Sequence, residues 1–296
     1  MLESQTILAR FRALTVWSSS GQRAPHKPLL CLLAISNALN GKERLLPFAV
    51  IEEPLSALLM EFGPPRKVCH PEYPFWSLQN DERIWEVRLA IPIDRRAGVS
   101  PTKAALLRAK ASGGFTEEIF RTVRDDEGSR TGIIMLLLES HFPQSIHEDI
   151  LDSLGLSLER ELGTGKQRDP QFREKILAAY EYRCAICGFN VRIGHLVVAL
   201  EAAHIKWHQA GGPDIHENGL ALCSLHHKLF DRGAFTVGLD HRAVVSERAY
   251  GTDGFSEHLG RYHKQGLLKP TRESYRPSGD FLDWHMTEVF LSPGRE

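Results

Sequence analysis

Cysteine and histidine residues with the spacing of zinc ligands occur twice within residues 184–226 of this chain. Cys184 and Cys187 form a C-x-x-C pair, and Cys223 and His226 form a C-x-x-H pair. Zinc binds cysteine sulfur and histidine nitrogen tetrahedrally, and each pair supplies two ligands from one tight turn. Ordinary buried cysteines are the alternative, but packing alone seldom gives paired spacing at both ends. The spacing therefore predicts a structural Zn²⁺ site.

Composition sets broad limits on the rest of the chain. The 296 residues contain five cysteines, and the remaining two, Cys31 and Cys69, lie far upstream. Scattered cysteines without a signal-peptide pattern favour a reduced, intracellular protein over a disulfide framework. No apolar run approaches the roughly 20 residues of a membrane span. The net charge is −1, so any affinity for nucleic acid must come from local patches.

A second set of polar residues, His204, Asn218 and His227, is interleaved with the zinc pairs. Residues 197–205 are predicted to form a buried strand, and residues 220–231 a turn leading into a helix. His227 and Asp231 are four residues apart, so on a helix they project from one face and can grip one divalent ion. Neutral His204 can accept a proton near neutral pH, and Asn218 can hold that ring through its amide or through a backbone bond. The set predicts metal-assisted cleavage of phosphodiesters.

Two of these assignments have a second interpretation. Asp231 can instead cap the turn at Arg232. His226 and His227 can exchange roles, although the C-x-x-H spacing favours His226 for zinc.

This pattern resembles the HNH endonucleases, whose ββα-metal fold places a His on a strand, an Asn in the next loop and a His on the helix. The intervals of 14 and 9 residues look like those of the McrA-type enzymes. The resemblance implies His204 as general base, Asn218 as its orienting residue, and His227 and Asp231 as ligands of Mg²⁺, Mn²⁺, Co²⁺ or Ni²⁺. Many relatives carry Asp or His immediately before the base, where this chain has Ala203. Glu201 points to the same side of a strand as position 203 and is predicted to reach the ion instead.

The chain is predicted to be α+β with two domains. Residues 158–169 are polar and glycine-containing, which predicts a linker between a helical or mixed DNA-recognition domain at 1–157 and a zinc-stapled ββα-metal domain at 170–296. A helix is predicted from Pro170, short strands at 234–237 and 243–246, and a docked aromatic tail at 275–290. The domain boundary follows from these composition shifts.

The first domain is predicted to contain helices near 7–14, 25–40 and 54–60, and a hairpin over 70–87. Between Phe62 and Phe115 there are nine Lys and Arg against five Asp and Glu. Basic residues beside aromatic residues and prolines are typical of a surface that reads nucleic acid.

The segments at 23–28 (RAPHKP) and 70–76 (HPEYPFW) resemble the sulfur-binding domain that precedes HNH nucleases in phosphorothioate-dependent type IV restriction enzymes. In that family an apolar pocket, partly built from a Tyr-Pro pair, receives the sulfur that replaces a phosphate oxygen. The resemblance implies that Tyr73 and Pro74 line the pocket. Core aromatic packing of 73–76 is the alternative. Further DNA-contact candidates are Arg23, His26, Lys27, His70, Arg95 and Arg96.

The sequence thus predicts a bacterial, cytoplasmic restriction-type endonuclease that binds double-stranded phosphorothioated DNA, and a homodimer if it cuts both strands. One alternative keeps the nuclease but directs it to methylated or otherwise modified bases, held in an aromatic cage. Another, suggested by Ala203, is a non-cleaving DNA-binding regulator.

Overall fold

The computed structural model of this chain describes residues 2–15, 25–66, 68–93, 99–156 and 170–296. Contacts divide these residues into two compact units. The first contains the described residues up to Phe142 together with 147–156, and the second contains Pro143–Ile146 and 170–296. The linker predicted at 158–169 lies outside the described residues. Within the described ranges, no helix is both long and apolar enough to cross a membrane.

The first unit is helical with one small antiparallel sheet, in the strand order β1-β3-β2. Its strands are β1 (Leu46–Pro47), β2 (Trp85–Arg88) and β3 (Ser112–Phe115). Its helices among the described residues are α1 (Leu2–Arg12), α2 (His26–Leu39), α3 (Phe48–Phe62), α4 (Glu72–Ser77), α5 (Lys103–Arg108), α6 (Glu117–Asp125), α7 (Glu127–His141) and α8 (His147–Ser153).

Helix α2 is the buried centre of this unit, as its apolar sequence predicts. Nine of its 14 residues are buried, and it packs against α3, α6 and α7. A helix that is apolar on most sides needs neighbours around most of its surface. It ends at Leu39 with Asn40 as its C-cap, and Gly41 then takes a φ of 70°, the left-handed conformation that favours glycine after a helix.

The hairpin predicted over 70–87 is wrong. Residues 72–77 form α4, a 3-10 turn follows at Leu78–Asn80, and β2 pairs with β3 instead. Pro71 precedes the helix and Pro74 lies in its first turn, where a missing N–H costs no hydrogen bond. Helix α3 also begins earlier than predicted, at Phe48, and includes Pro54 in its interior.

His141, near the end of α7, is expected to make the stability of the first unit dependent on pH. Burial lowers the pKa of His141 to about 4, so the unfolded chain, with a pKa near 6.5, binds the proton more readily. We therefore expect the contribution of His141 to fall by about 2 kcal/mol from pH 7 to pH 5. The free energy of unfolding of wild type and of His141→Leu, measured with denaturant at both pH values, tests this expectation. A pH dependence equally steep in the variant would contradict the assignment.

The second unit combines small sheets with helices, and the mixed composition of both units confirms the predicted α+β class. Its strands are β4 (Arg192–Ile193), β5 (Leu196–Val197), β6 (Leu200–His204), β7 (Gly219–Cys223), β8 (Phe235–Val237) and β9 (Ala243–Val245). Its helices are α9 (Pro170–Ala179), α10 (Ser224–Asp231), α11 (Asp253–His258) and α12 (Gly279–Glu288). The strands predicted at 234–237 and 243–246 are confirmed as the β8–β9 pair, and the docked tail as α12.

Strands β6 and β7 with helix α10 form the frame of the candidate site. The strands are antiparallel, with His204 opposite Gly219, and α10 follows β7 without a loop. Helix α9 packs against β6 and β7 through Phe172, Ile176 and Leu177, all buried. The turn predicted at the start of 220–231 is wrong, because residues 219–223 form a fully buried strand. A short run that is apolar at every position shows neither the period of a strand nor that of a helix, so the sequence pattern did not identify this strand.

Candidate functional site

Three cysteines and one histidine of the second unit lie close together. Two come from the chain ahead of β4, and two from the junction of β7 and α10. The ligand atoms of Cys184, Cys187, Cys223 and His226 all lie within 4.8 Å of one another. The Sγ atoms of Cys187 and Cys223 are 4.0 Å apart, and His226 Nδ1 lies 3.1 Å from Cys223 Sγ. Tetrahedral zinc with bonds of about 2.3 Å to sulfur places its sulfurs about 3.8 Å apart. The four side chains therefore fit a zinc ion.

The surroundings of this cluster also suit a metal. His226 Nε2 lies 2.8 Å from the His258 carbonyl oxygen, to which it donates, so the Nδ1 lone pair faces the sulfurs. Ligating histidines are usually fixed in this way by a partner on the other nitrogen. The pKa of Cys184 is lowered because Cys187 and Cys223 hydrogen-bond to its sulfur. The sulfur of Cys184 is thus favoured as a thiolate, the form that binds metal, whereas the same contacts and burial raise the pKa of Cys223.

A second polar cluster surrounds His227 on α10. The ring lies between two carboxylates, with Nδ1 2.6 Å from Glu201 and Nε2 3.1 Å from Asp231. The Glu201 side chain is 40% exposed, whereas that of Asp231 is 1% exposed. Ser224 donates to the second oxygen of Glu201, and Ser145 donates to Asp231. The prediction that Glu201 compensates for Ala203 thus has a geometric basis, since Glu201 reaches the ring that was expected to bind the ion.

The two carboxylates contact different nitrogens of the ring. An ion on one nitrogen leaves the other nitrogen to donate a hydrogen bond. Burial alone lowers the pKa of His227, but Asp231 and Glu201 outweigh it and raise the pKa to about 9. Burial alone raises the pKa of Asp231, but the charge of His227 and its hydrogen bond outweigh burial and lower that pKa, so that the carboxylate is favoured. The two carboxylates therefore stabilise positive charge on the ring, and a cation bound at Nδ1 would take the place of the proton there.

His204 ends strand β6 and lies between an aromatic ring and a carboxylate. Its ring stacks on Phe172, with centroids 4.1 Å apart and planes at 14°. Its Nε2 atom is 2.7 Å from Asp214 Oδ1. Phe172 on α9 therefore fixes the plane of the ring, and Asp214 in the loop after β6 fixes the direction in which Nε2 points.

Asn218 is fully buried and holds that loop by its backbone. Its Oδ1 accepts from the Lys206 N–H at 2.8 Å, and its Nδ2 donates to the carbonyls of Lys206 and Pro213, each at 3.0 Å. Both amide protons are thus used on the loop. Gly212 must lack a side chain, because a Cβ there would lie 1.8 Å from the Lys206 oxygen. Asn218 acts on the loop backbone, and not by gripping the His204 ring with its amide.

Three residues of these clusters were missed from the sequence. Asp214 directly follows a Gly-Gly-Pro turn, which was the only local signal for it. Ser224 begins α10 and could have been found from the strand-to-helix junction. Ser145 lies 86 residues from Asp231, and nothing in the local sequence marks it.

Of the two residues predicted to line the sulfur pocket, one is exposed to solvent and the other is buried. Tyr73 is 49% exposed and stacks on His70, with centroids 4.6 Å apart, while Pro74 is buried. Phe75 is fully buried and packs on Phe48. Phe75 is therefore a core residue, as the core-packing alternative predicts. Tyr73 stacks with His70 and is exposed at the surface.

The basic candidates of the first unit differ in their surroundings. Lys27 forms an ion pair at 2.5 Å with Asp81, and both side chains are largely buried, which favours a structural role over a phosphate contact. His26 begins α2. The three arginines Arg23, Arg95 and Arg96 lie outside the described residues.

The second unit has the architecture of the ββα-metal nucleases: an antiparallel strand pair followed directly by a helix, with histidines at the end of one strand and on the helix. Residues 184–238 match the HNH endonuclease family. Residues 4–159, more than half of the chain, match the ScoMcrA-like DNA sulfur-binding domain. The chain therefore belongs to the ScoMcrA-like sulfur-binding family and carries an HNH endonuclease domain.

Several solved structures are similar to about half of this chain. The sulfur-binding domain of ScoMcrA complexed with phosphorothioated DNA is 25% identical over 50% of this chain and 94% of its own length, with a TM-score of 0.42. The corresponding SprMcrA complex is 25% identical over 52% and 94%, with a TM-score of 0.43. The type IV phosphorothioation-dependent restriction endonuclease ScoMcrA is 25% identical over 50% of this chain, which spans only 27% of that protein, with a TM-score of 0.39. No curated protein matches the chain.

Proposed function

We propose that this protein is a type IV restriction endonuclease that binds phosphorothioated double-stranded DNA and hydrolyses its phosphodiester bonds. The observation that carries the proposal is the placement of the His227 and Glu201 cluster on the same β6–β7–α10 frame as His204. Family membership of the first half supplies the target, since its matched model is a DNA sulfur-binding domain. In this proposal residues 1–157 recognise the DNA and residues 170–296 cleave it, and residues 158–169 form the linker between these two domains.

The residues divide into a proton acceptor and a cation site. His204 takes a proton from water, because a neutral imidazole is basic near neutral pH. Glu201 and His227, through Nδ1, hold a divalent cation such as Mg²⁺, Mn²⁺, Co²⁺ or Ni²⁺. When bound, that cation neutralises the scissile phosphate and the leaving oxygen.

Exposure decides between the two carboxylates beside His227. DNA must reach the ion, and Glu201 is 40% exposed while Asp231 is 1% exposed. We therefore assign Asp231 to the Nε2–H of His227, where a buried carboxylate orients the ring and makes it a stronger ligand. This replaces the role of second ligand predicted for Asp231. Cys184, Cys187, Cys223 and His226 hold the structural Zn²⁺.

Recognition is assigned to the exposed stack of His70 and Tyr73. Sulfur is larger and more weakly hydrated than oxygen, so it gains more from contact with an apolar ring face. Pro74, which is buried, is the second residue proposed for this pocket. His26, Arg23, Arg95 and Arg96 complete the proposed phosphate and base contacts, because a sequence-independent hold on DNA comes mainly from cations on phosphates.

A cut through both strands requires two HNH sites, so the proposal includes a homodimer on DNA. The proposed setting is the bacterial cytoplasm, where incoming DNA is met.

We expect Tyr73→Ala to lose at least tenfold in affinity for a sulfur-bearing duplex, since an aromatic contact is worth about 1–3 kcal/mol, and to bind the unmodified duplex as wild type does. Fluorescence anisotropy with matched duplexes carrying sulfur, 5-methylcytosine or neither measures this. Tyr250→Ala, at another exposed tyrosine, is the control. Preference of wild type for 5-methylcytosine would replace the sulfur target, and equal binding of all three would exclude recognition of either modification.

Cleavage is tested with the same sulfur-bearing DNA. Wild type with Mg²⁺ or Mn²⁺ should cut it, and His204→Ala should be slower by about 10²–10⁴-fold, the usual contribution of a general base. If neither protein cuts with any of the four cations, the non-cleaving regulator becomes the better account.

A further inference from the structure

We propose that Asp214 is the positioning residue of the general base, fixing the proton of His204 on Nε2 so that the lone pair lies on Nδ1. This inference rests on the proposed function, in which His204 activates water. A carboxylate accepts hydrogen bonds and, when ionised, has no proton to donate. At 2.7 Å from Asp214 Oδ1, Nε2 is therefore the donor of the pair.

The contact is sheltered enough to select a tautomer. The His204 side chain is 10% exposed and that of Asp214 is 34% exposed, and the ring is covered on one face by Phe172. An electrostatic interaction weakens in water and strengthens where water is excluded. Stacking on Phe172 fixes the plane of the ring, so turning Nε2 away from Asp214 would cost the hydrogen bond and, at intermediate angles, the stack.

The loop that presents Asp214 is held by the buried amide of Asn218. The three side-chain hydrogen bonds of Asn218 tie Lys206 and Pro213 together, and Asp214 is the next residue along the chain. The Asn218 carbonyl also accepts from the N–H of Ile205, which follows the base. This gives the asparagine of the motif a physical task in this chain: it places a carboxylate against the base.

The pair also accounts for the charge that develops during the reaction. As the water oxygen bonds to phosphorus, one water proton moves to Nδ1 of His204, and the P–O bond to the leaving oxygen breaks with its electron pair. The imidazole becomes an imidazolium. Asp214 lies against its other nitrogen, so the new positive charge forms beside an existing negative one, and the carboxylate keeps its own state throughout.

The proposal is tested with Asp214→Asn in the full-length, zinc-loaded protein. An asparagine retains the shape but offers both an acceptor and a donor, so it no longer selects one tautomer. We expect wild-type His204 to show ¹⁵N shifts of a protonated Nε2 and an unprotonated Nδ1, and the variant to show a mixture. The signal is assigned by its loss in His204→Ala. Cleavage of sulfur-bearing DNA should fall about 10²–10⁴-fold, with zinc content and DNA binding unchanged.

Asp240→Asn is the matched control, because Asp240 lies at an exposed turn beside Arg242 in the same unit. It should keep wild-type rates. Should Asp214→Asn disturb folding, Asp214→Ser repeats the test with a smaller side chain. An unchanged tautomer in the variant overturns the inference, as does an unchanged cleavage rate where wild type cuts. Failure of wild type itself to cut would instead count against the proposed function, and the NMR result would still decide the tautomer.

Discussion

Cys184→Ser is expected to release the zinc ion and to unfold much of the second unit. Apparent binding energies of structural zinc reach about 10–16 kcal/mol in small domains, as large as the whole stability of an ordinary domain. Cys184 is completely buried, and its cluster joins the chain ahead of β4 to the junction of β7 and α10. The loss therefore removes the tie between helix α10 and the turn that contains Cys184 and Cys187.

The measurement is metal content by mass spectrometry together with thermal unfolding. Wild type should carry one zinc per chain and Cys184→Ser essentially none, with a lower melting temperature for the second unit. Cys69→Ser is the control, since Cys69 is a free cysteine of the first unit and should leave zinc unchanged. One equivalent of zinc in purified Cys184→Ser would refute the site.

His227→Ala is expected to abolish binding of the catalytic cation and to stop cleavage. The substitution removes the ring that contacts both Glu201 and Asp231. Mn²⁺ binding followed by electron paramagnetic resonance should drop below detection, and cleavage should fall at least 10³-fold. Zinc content should stay at one per chain, because His226 and not His227 belongs to that cluster.

Two further variants separate the carboxylates. Glu201→Gln should weaken Mn²⁺ binding as strongly as His227→Ala, since it removes a ligand. Asp231→Asn should weaken it only about 10–100-fold, the usual effect of a residue that orients a ligand. Because His227 is buried, His227→Asn serves as a less disruptive partner to the alanine variant. If Asp231→Asn loses Mn²⁺ completely while Glu201→Gln retains it, the roles assigned to the two carboxylates are reversed.

Much of the site was readable because its chemistry demands particular residues at short spacings. The zinc pairs each occupy one turn, and His227 and Asp231 are one helical turn apart, so local geometry brings them together. Glu201 could be predicted for the same reason, because residues two apart on a strand point to the same side. The resemblance to HNH enzymes added roles that spacing alone does not assign.

The failures have equally specific causes. The segment around Tyr73 has the aromatic and proline content of an irregular strand, yet it forms α4 because its prolines fall where a helix tolerates them. Residues 219–223 are apolar at every position, so no period distinguished strand from turn. The exposure of Tyr73 and the burial of Pro74 depend on which face of a short helix meets the core, and that face is set by Phe48 and Phe75.

The sequence by itself predicted a zinc site and a second cluster suited to a cation and a base, since those predictions follow from residue types held at fixed intervals, and the family resemblance added the class of DNA target. Only the tertiary structure decided how the pieces work together. It placed Asp214 on the far nitrogen of His204, turned Asn218 toward a loop, and set an exposed Glu201 and a buried Asp231 on opposite nitrogens of one ring. Those relations depend on burial and on the direction of single lone pairs, which a linear spacing does not encode.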